Sequence, residues 1–154
     1  SMGIDTDFGM AYAKSQISAG NTLPKEGTVF ISVNDKDKPH IKNFAKKLLD
    51  LGFSLLATNS TAEILNSENI TCKKINKATQ GSPHVVEYLD DKKISIVINT
   101  TSGKKSIEDS KSLRRSALNN GIPYFTTLAG AIACTEAIIS MKNKKMGVMP
   151  IQDL

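Results

Sequence analysis

Apolar positions along this chain follow two alternating periods. Thr28-Val29-Phe30-Ile31-Ser32-Val33 is a β-branched, apolar run that predicts a buried strand, and Asn34-Asp35 supplies the turn chemistry that ends it. Ile41, Phe44, Ala45, Leu48 and Leu49 then recur at helical spacing, with Lys38, Lys42, Lys46 and Lys47 largely off that stripe and Gly52 as the stop. Phe53 to Ala57 predicts a second strand. Ser60-Thr61-Ala62-Glu63 has the spacing of a capping box, with a helix to follow as far as Asn66. A weak third strand falls near Cys72 to Ile75, and Pro83 is expected in the first turn of a helix through Val86 and Leu89. Ile94 to Ile98 is the clearest strand. Ser106-Ile107-Glu108-Asp109 predicts the first turn of one helix continuing through Leu113 to Leu118, where the helix dipole by itself accounts for both acids. Tyr124-Phe125 is a short fifth strand, and Thr127 caps a helix carrying Ile132, Ala133, Ile138 and Ile139.

Five strands, each followed by a helix and spaced by about 20–25 residues, are βα units. Right-handed crossovers then give the expected fold class: α/β, three layers, a five-stranded parallel sheet with helices on both faces, Rossmann-like. Ligands of such sheets bind beyond the carboxyl ends of the strands. Two segments fall outside the pattern. Phe8 to Ser18 reads as a helix with no strand before it, and Lys142 to Leu154 is a basic, then apolar tail, mobile or docked on a neighbour. The expected organisation is therefore a helix and linker over 1–25, one domain over 26–140 and a tail over 141–154.

Length and composition agree with a single globular domain. The chain has 154 residues, 40% apolar and 23% charged, and with no Trp and few other aromatics its core must be mostly aliphatic. The net charge of +5 is compatible with an anionic ligand but too small to demand nucleic acid, and no nucleic-acid partner is expected. Cys72 and Cys134 lie far apart without a CxxC pair, which argues against a disulfide framework or a zinc site and for a reducing, cytoplasmic compartment. The longest apolar stretch, Leu128 to Ile139, falls short of the roughly 18 residues of a membrane span, so no membrane partner is expected. Nor is a signal peptide visible. Ser ahead of Met at the N-terminus reads as an excision point, so the chain is expected to be a piece of a longer one.

The strand ends carry the informative chemistry. The first leads to Asn34 and Lys38, the second to Thr58, Asn59, Ser60 and Thr61, the third to Lys77, and the fourth to Asn99, Thr100, Thr101, Ser102 and Gly103. Hydroxyls, backbone amides and lysines at strand-to-helix junctions are what a phosphate monoester needs, and helix N-termini add positive dipole ends. Taken singly, Thr58 to Thr61 also fit plain helix capping and Lys38 a solvated face; convergence at one rim favours phosphate. Catalytic sets are missing: His40 and His84 suit local caps, Cys134 suits an inert buried thiol, and no HExxH, G-x-S-x-G or GxxxxGK[ST] occurs. The expected site binds rather than reacts, with no metal.

Ile98-Asn-Thr-Thr-Ser-Gly103, Ile107-Glu-Asp-Ser110 and Arg114-Arg-Ser-Ala117 together resemble the C-terminal allosteric domain of the carbamoyl-phosphate synthase large subunit, which has the methylglyoxal-synthase-like fold. Gly52 to Thr61, Asn76-Lys77, Gly81 with Pro83-His84, and Tyr124 with Thr126-Thr127-Leu128 extend the match. Met2 to Asp5 and Ala11 to Gln16 resemble the segment joining this domain to the synthetase region. The resemblance implies a non-catalytic regulatory domain, in pyrimidine and arginine biosynthesis, that binds a nucleoside monophosphate effector, UMP or IMP. Carried over by position, its effector residues are Lys38, Thr58, Thr61, Lys77, Asn99, Thr101 and Ser110. Of these, Thr58, Thr61, Lys77 and Thr101 would hold the phosphate. Tyr124 and Thr126 match the remnant of an ornithine site. No cofactor is implied in this domain; the parent ligase would use ATP, magnesium or manganese, and potassium. The implied partners are the rest of the large subunit, the glutaminase small subunit, and a second copy through self-association.

The match is not complete. Lys104-Lys105 stands where relatives often carry Arg-Arg, and Asn59-Ser60 where they carry His-Gly, so effector preference is open: lysine keeps the charge but loses the bidentate fork. Two other readings remain. A methylglyoxal synthase-type lyase would need a carboxylate base after a Gly-Gly pair in the loop following the third strand, where this chain has Gly81-Ser82-Pro83-His84 and no acid before Glu87. The other is an oligomerisation module with a vestigial pocket. The lysine-rich phosphate loop of IMP cyclohydrolase domains, which share the fold, is not evident.

Overall fold

A computed structural model describes residues 23–147. Strands β1 (Thr28–Ser32), β2 (Ser54–Ala57), β3 (Lys73–Lys74), β4 (Ile96–Asn99) and β5 (Tyr124–Phe125) form one sheet in the order β3-β2-β1-β4-β5. Every neighbouring pair is parallel. The helices are α1 (Lys42–Asp50), α2 (Asn59–Ser67), α3 (Val85–Asp90), α4 (Lys104–Asp109), α5 (Lys111–Asn119) and α6 (Leu128–Gly147). A 3-10 turn, Lys38–His40, precedes α1 and a second, Ala78–Gln80, precedes α3.

Side chains alternate across a strand, and the two faces build separate cores. Val29, Ile31, Leu55, Ala57, Ile96, Ile98 and Phe125 belong to one buried cluster, completed by Phe44 and Leu48 of α1, Leu65 of α2, and Ala131, Ala137 and Ile138 of α6. The intervening residues Phe30, Leu56 and Val97 belong to the other, completed by Val85 and Leu89 of α3 and by Leu113 and Ala117 of α5. This is the expected three-layer α/β architecture. Strand order reverses between β1 and β4, so the topological switch point lies at their carboxyl ends.

Four local expectations change. The single helix expected over 106–118 is two helices, α4 and α5, meeting at Ser110. Its Oγ donates to the Ser106 carbonyl at 2.8 Å, a back-bond that bends helices. Pro83 lies outside α3, whose N-cap is His84: Glu87 N donates to His84 Nδ1 at 3.3 Å and His84 N donates to Glu87 Oε1 at 2.9 Å. That His-x-x-Glu pair is a capping box built on an uncommon cap residue. Helix α2 starts at Asn59 with Thr58 as N-cap, two residues before the capping box read at Ser60. Finally, α6 carries helix through position 140 to Gly147, so the residues from 141 to 147 are not a separate tail. Lys142 Nζ donates to the Leu51 carbonyl at 2.7 Å and Lys47 pairs with Glu136 at 2.8 Å, fixing α6 to α1 and the turn after it. Thr127 caps α6 as expected, accepting from Gly130 N at 3.0 Å. The helix expected over Phe8 to Ser18 lies outside the described residues, as do positions 148–154.

Candidate functional site

The period of two that builds the second core also builds the site. Ser32 has the parity of Phe30, Thr58 that of Leu56, and Asn99 that of Val97, so all three side chains emerge on one face at the carboxyl ends of β1, β2 and β4. Ser32 pairs with Asn99 in the β1–β4 register. With strands about 4.8 Å apart, Thr58 and Asn99 stand about 10 Å apart across the row. Above this polar row a cleft opens to solvent. Apolar residues of the second core, Phe30, Val85 and Leu113, line its base, while Lys77, Thr101, Ser106, Asp109 and Ser112 line its walls.

Thr58 is buried, and its Oγ donates to Ser32 Oγ at 3.1 Å instead of capping α2. The first-turn amides of that nine-residue helix are therefore left without their cap side chain at the rim. Lys77 follows β3, is exposed, and makes no ion pair with any described residue. Its backbone N–H donates to Gln80 Oε1 at 2.8 Å, and Asn76 Nδ2 donates to the Gly81 carbonyl at 3.1 Å, which organises the loop that presents the ammonium.

Asn99 is buried and donates from Nδ2 to Ser110 Oγ and to the Tyr124 hydroxyl, both at 2.9 Å. Tyr124 is half-buried with Arg114 5.6 Å from its ring centre. Burial raises its phenol above the usual value near 10, an effect partly offset by the Asn99 bond and the Arg114 charge. Thr126 is exposed after β5.

Of the nine residues the sequence singles out, Thr58, Lys77, Asn99, Thr101 and Ser110 line this one cleft. Lys38 and Thr61 do not. Lys38 Nζ is taken by Asp35, whose carboxyl it holds below the usual range by hydrogen bond and charge. Thr61 is fully buried, and its Oγ accepts from Val33 N at 3.4 Å beneath the wall. Tyr124 is not among the lining residues and meets the cleft through its hydrogen bond with Asn99. Sequence reasoning missed Ser32, Asp109 and Ser112; strand parity would have found Ser32, but the break in the helix at Ser110, which carries the other two to the cleft, leaves no signal of that kind. His84 serves as a cap, and burial pushes the Cys72 and Cys134 thiols up to about 12, so both are unreactive. No cluster of His, Cys, Asp and Glu suited to a metal occurs among the described residues, and no helix among them is long and apolar enough to cross a membrane.

Residues 40–126 match the family model of the MGS-like domain. The chain is 46% identical to the carbamoyl phosphate synthase large chain of Mesorhizobium japonicum, over 99% of its own length but 13% of that protein's. It is also 46% identical to the C-terminal section of the same enzyme's large chain in Methanopyrus kandleri, covering 28% of it. The structure resembles methylglyoxal synthase of Elizabethkingia anophelis, with a TM-score of 0.59 over 73% of this chain and 79% of that one, at 18% identity. That level of identity speaks for the fold alone. The model match spans more than half of the sequence, and the chain belongs to the MGS-like domain family.

Proposed function

We propose that this chain is the regulatory domain of a carbamoyl phosphate synthase large chain and binds a nucleoside monophosphate, UMP or IMP, in the cleft at the strand ends. The observation that carries this reading is the row Thr58–Ser32–Asn99 at the switch point, facing Lys77. It combines neutral donors, one unpaired cation and an apolar base, the complement of a phosphate joined to a flat heterocycle. Thr58, Thr101 and Lys77 hold the phosphate, and the first-turn amides of α2 add to it. Asn99 and Ser110 border the sugar. Lys38 and Thr61 act through what they fix: the 34–37 turn and the Val33 amide. Similarity to carbamoyl phosphate synthase large chains over nearly the whole sequence supplies the context, in which the partners are the remainder of that chain and the small glutaminase subunit, in the cytoplasm.

Binding here needs no cofactor and no reaction. Regulation follows if the ligand favours one packing of the domain against the rest of the enzyme over another. Isothermal titration of this chain with UMP and with IMP, beside Thr101→Ala, is the test. Saturable binding that weakens in the variant supports the reading, and its absence in a folded sample ends it. An unchanged rate of the whole synthase at saturating nucleotide would separate binding from control.

A further inference from the structure

The sequence holds a single Asn-Gly pair, Asn120-Gly121, and it stands at the end of α5. Asparagine is a labile side chain, and a following glycine makes it more so, because no Cβ obstructs attack by the next backbone nitrogen. In that reaction Gly121 N bonds to Asn120 Cγ, ammonia leaves from the side chain, and a five-membered succinimide remains. Water then opens the ring at either carbonyl, giving aspartate or isoaspartate. No oxidant or reductant takes part, and water is the only co-reactant. A Cβ built at Gly121 would meet nothing within 4 Å, so this turn has room to rearrange.

The folded chain opposes the step in three ways. Asn120 is the C-cap of α5 at ψ 6°, where its own nitrogen eclipses that of Gly121 and its Cβ is turned away; ring closure needs the reverse. The nucleophile is engaged. Gly121 N donates to the Leu118 carbonyl at 3.2 Å and Ile122 N to the Ala117 carbonyl at 2.9 Å, a Schellman closure with Gly121 at φ +67°. The leaving group is engaged as well. Asn120 Nδ2 donates to the Ser116 carbonyl at 2.9 Å and to Asp90 Oδ1 at 3.3 Å. Asp90, the last residue of α3, also accepts from Ser116 Oγ at 2.6 Å, so the amide is held by a contact between two helices.

We propose that Asn120-Gly121 is a latent self-modification site, kept closed by the α3–α5 contact and opened when that contact is lost. The conversion runs one way. A carboxylate at 120 has no hydrogen for the Ser116 carbonyl and faces Asp90 as a like charge, while isoaspartate adds a carbon to the main chain inside the Schellman turn. Each product weakens the clamp whose release formed it. None of this depends on what occupies the cleft.

The test is timed incubation of the 154-residue chain at mildly alkaline pH, folded and unfolded in urea, beside Asp90→Ala and Thr61→Val, which removes a buried acceptor elsewhere in the fold. Tryptic cleavage after Arg115 and Lys142 releases peptide 116–142, whose fragment masses separate Asn120 from Asn119; enzymatic methylation counts isoaspartate. The unfolded chain should convert about tenfold faster than the folded one, or more. Folded Asp90→Ala should convert about three- to tenfold faster than wild type, the rate equivalent of one lost hydrogen bond. Thr61→Val should stay near the wild-type rate. Asn120→Asp should unfold at a lower temperature than wild type, by a margin that narrows with added salt. Equal rates in folded and unfolded wild type, or in Asp90→Ala and wild type, overturn the clamp. Acceleration in Thr61→Val matching that in Asp90→Ala makes global unfolding the gate and overturns it too. No conversion in urea, or conversion at Asn119 ahead of Asn120, overturns the site itself.

Discussion

Asn99 and Tyr124 are joined across the β4–β5 pair by a 2.9 Å hydrogen bond from the Asn99 amide to the phenol oxygen. Val97 is the register partner of Tyr124, so the bond runs diagonally on the second-core face, from the end of the switch-point strand to the sheet edge. The other Nδ2 hydrogen goes to Ser110 Oγ, and Ser110 in turn donates to Ser106. One buried amide thus ties β4, the α4–α5 elbow and β5 together, and its nitrogen has no further donor for a ligand.

Tyr124→Phe leaves that amide hydrogen without a partner and should lower stability by about 1–3 kcal/mol, read by urea or thermal unfolding. The pH dependence identifies the cause. Burial, foremost, raises the Tyr124 phenol above 10, so the unfolded chain ionises first as pH climbs. The stabilisation is intact below pH 10 and lost as pH rises through the folded value. Ultraviolet titration of the phenols should show a late component that Tyr124→Phe abolishes. If the late component survives in the variant, the assignment is wrong.

Thr58→Ala tests the rim. Because the Thr58 hydroxyl bonds Ser32 Oγ and does not cap α2, the usual loss for an N-cap substitution should not be seen in full. Phosphate binding would turn the hydroxyl hydrogen from Ser32 Oγ to the ligand, so UMP affinity, measured by titration calorimetry, should fall by about tenfold, the worth of one hydrogen bond to a charged group. A large loss of stability with unchanged affinity would place Thr58 among the structural residues.

Thr61→Val separates the two threonines that the sequence treats as equals. Thr61 accepts from Val33 N inside the first core, where valine fits the volume but offers no acceptor. Stability should drop by about 1–3 kcal/mol, while UMP affinity changes less than in Thr58→Ala. Calorimetry on both variants checks this. An affinity loss in Thr61→Val equal to that of Thr58→Ala would return Thr61 to the phosphate.

How much of this was legible beforehand depends on the range of the forces involved. The sheet was legible, because Val29, Ile31, Ile96 and Ile98 alternate with Phe30 and Val97 and buried strands leave that mark in any sequence. The strand ends were legible too, since Thr58, Lys77, Asn99 and Thr101 follow apolar runs. The break at Ser110 was not. It depends on a hydroxyl bonding back to Ser106 and accepting from Asn99, eleven residues away. Asp109 was therefore read in the first turn of a long helix when it is the last residue of a short one. The different settings of the two threonines were not legible either, because Thr61 lies inside α2 whereas Thr58 precedes it and follows strand parity. Its sequence spacing from Thr61 says nothing about a shared wall.

Glu87 links helix capping to the loop that presents Lys77. Its carboxylate accepts from His84 N at 2.9 Å and from Ser82 Oγ at 2.8 Å. Val85 N meanwhile bonds the Asn76 carbonyl at 3.0 Å, next to Lys77. The His84 amide bond, and then the Ser82 hydroxyl, hold the Glu87 carboxyl below its ordinary value of 4.5. A depressed carboxyl contributes stability above 4.5 and loses it as pH falls through the lowered folded value, since protonation removes the charge that both donors favour. Glu87→Gln keeps the shape and one acceptor but no charge. At neutral pH its unfolding temperature should be slightly lower than that of wild type, a small effect because the carboxylate is exposed to solvent. Unfolding scans at descending pH should bring the two proteins together below 4.5. A gap that stays constant with pH would mean that the carboxylate charge contributes nothing to the cap. Because the same cap fixes the strand-end loop, UMP affinity at neutral pH should weaken modestly in the variant, and restoring the charge with Glu87→Asp should not recover it, since the shorter side chain cannot span from the third helical position back to the His84 amide.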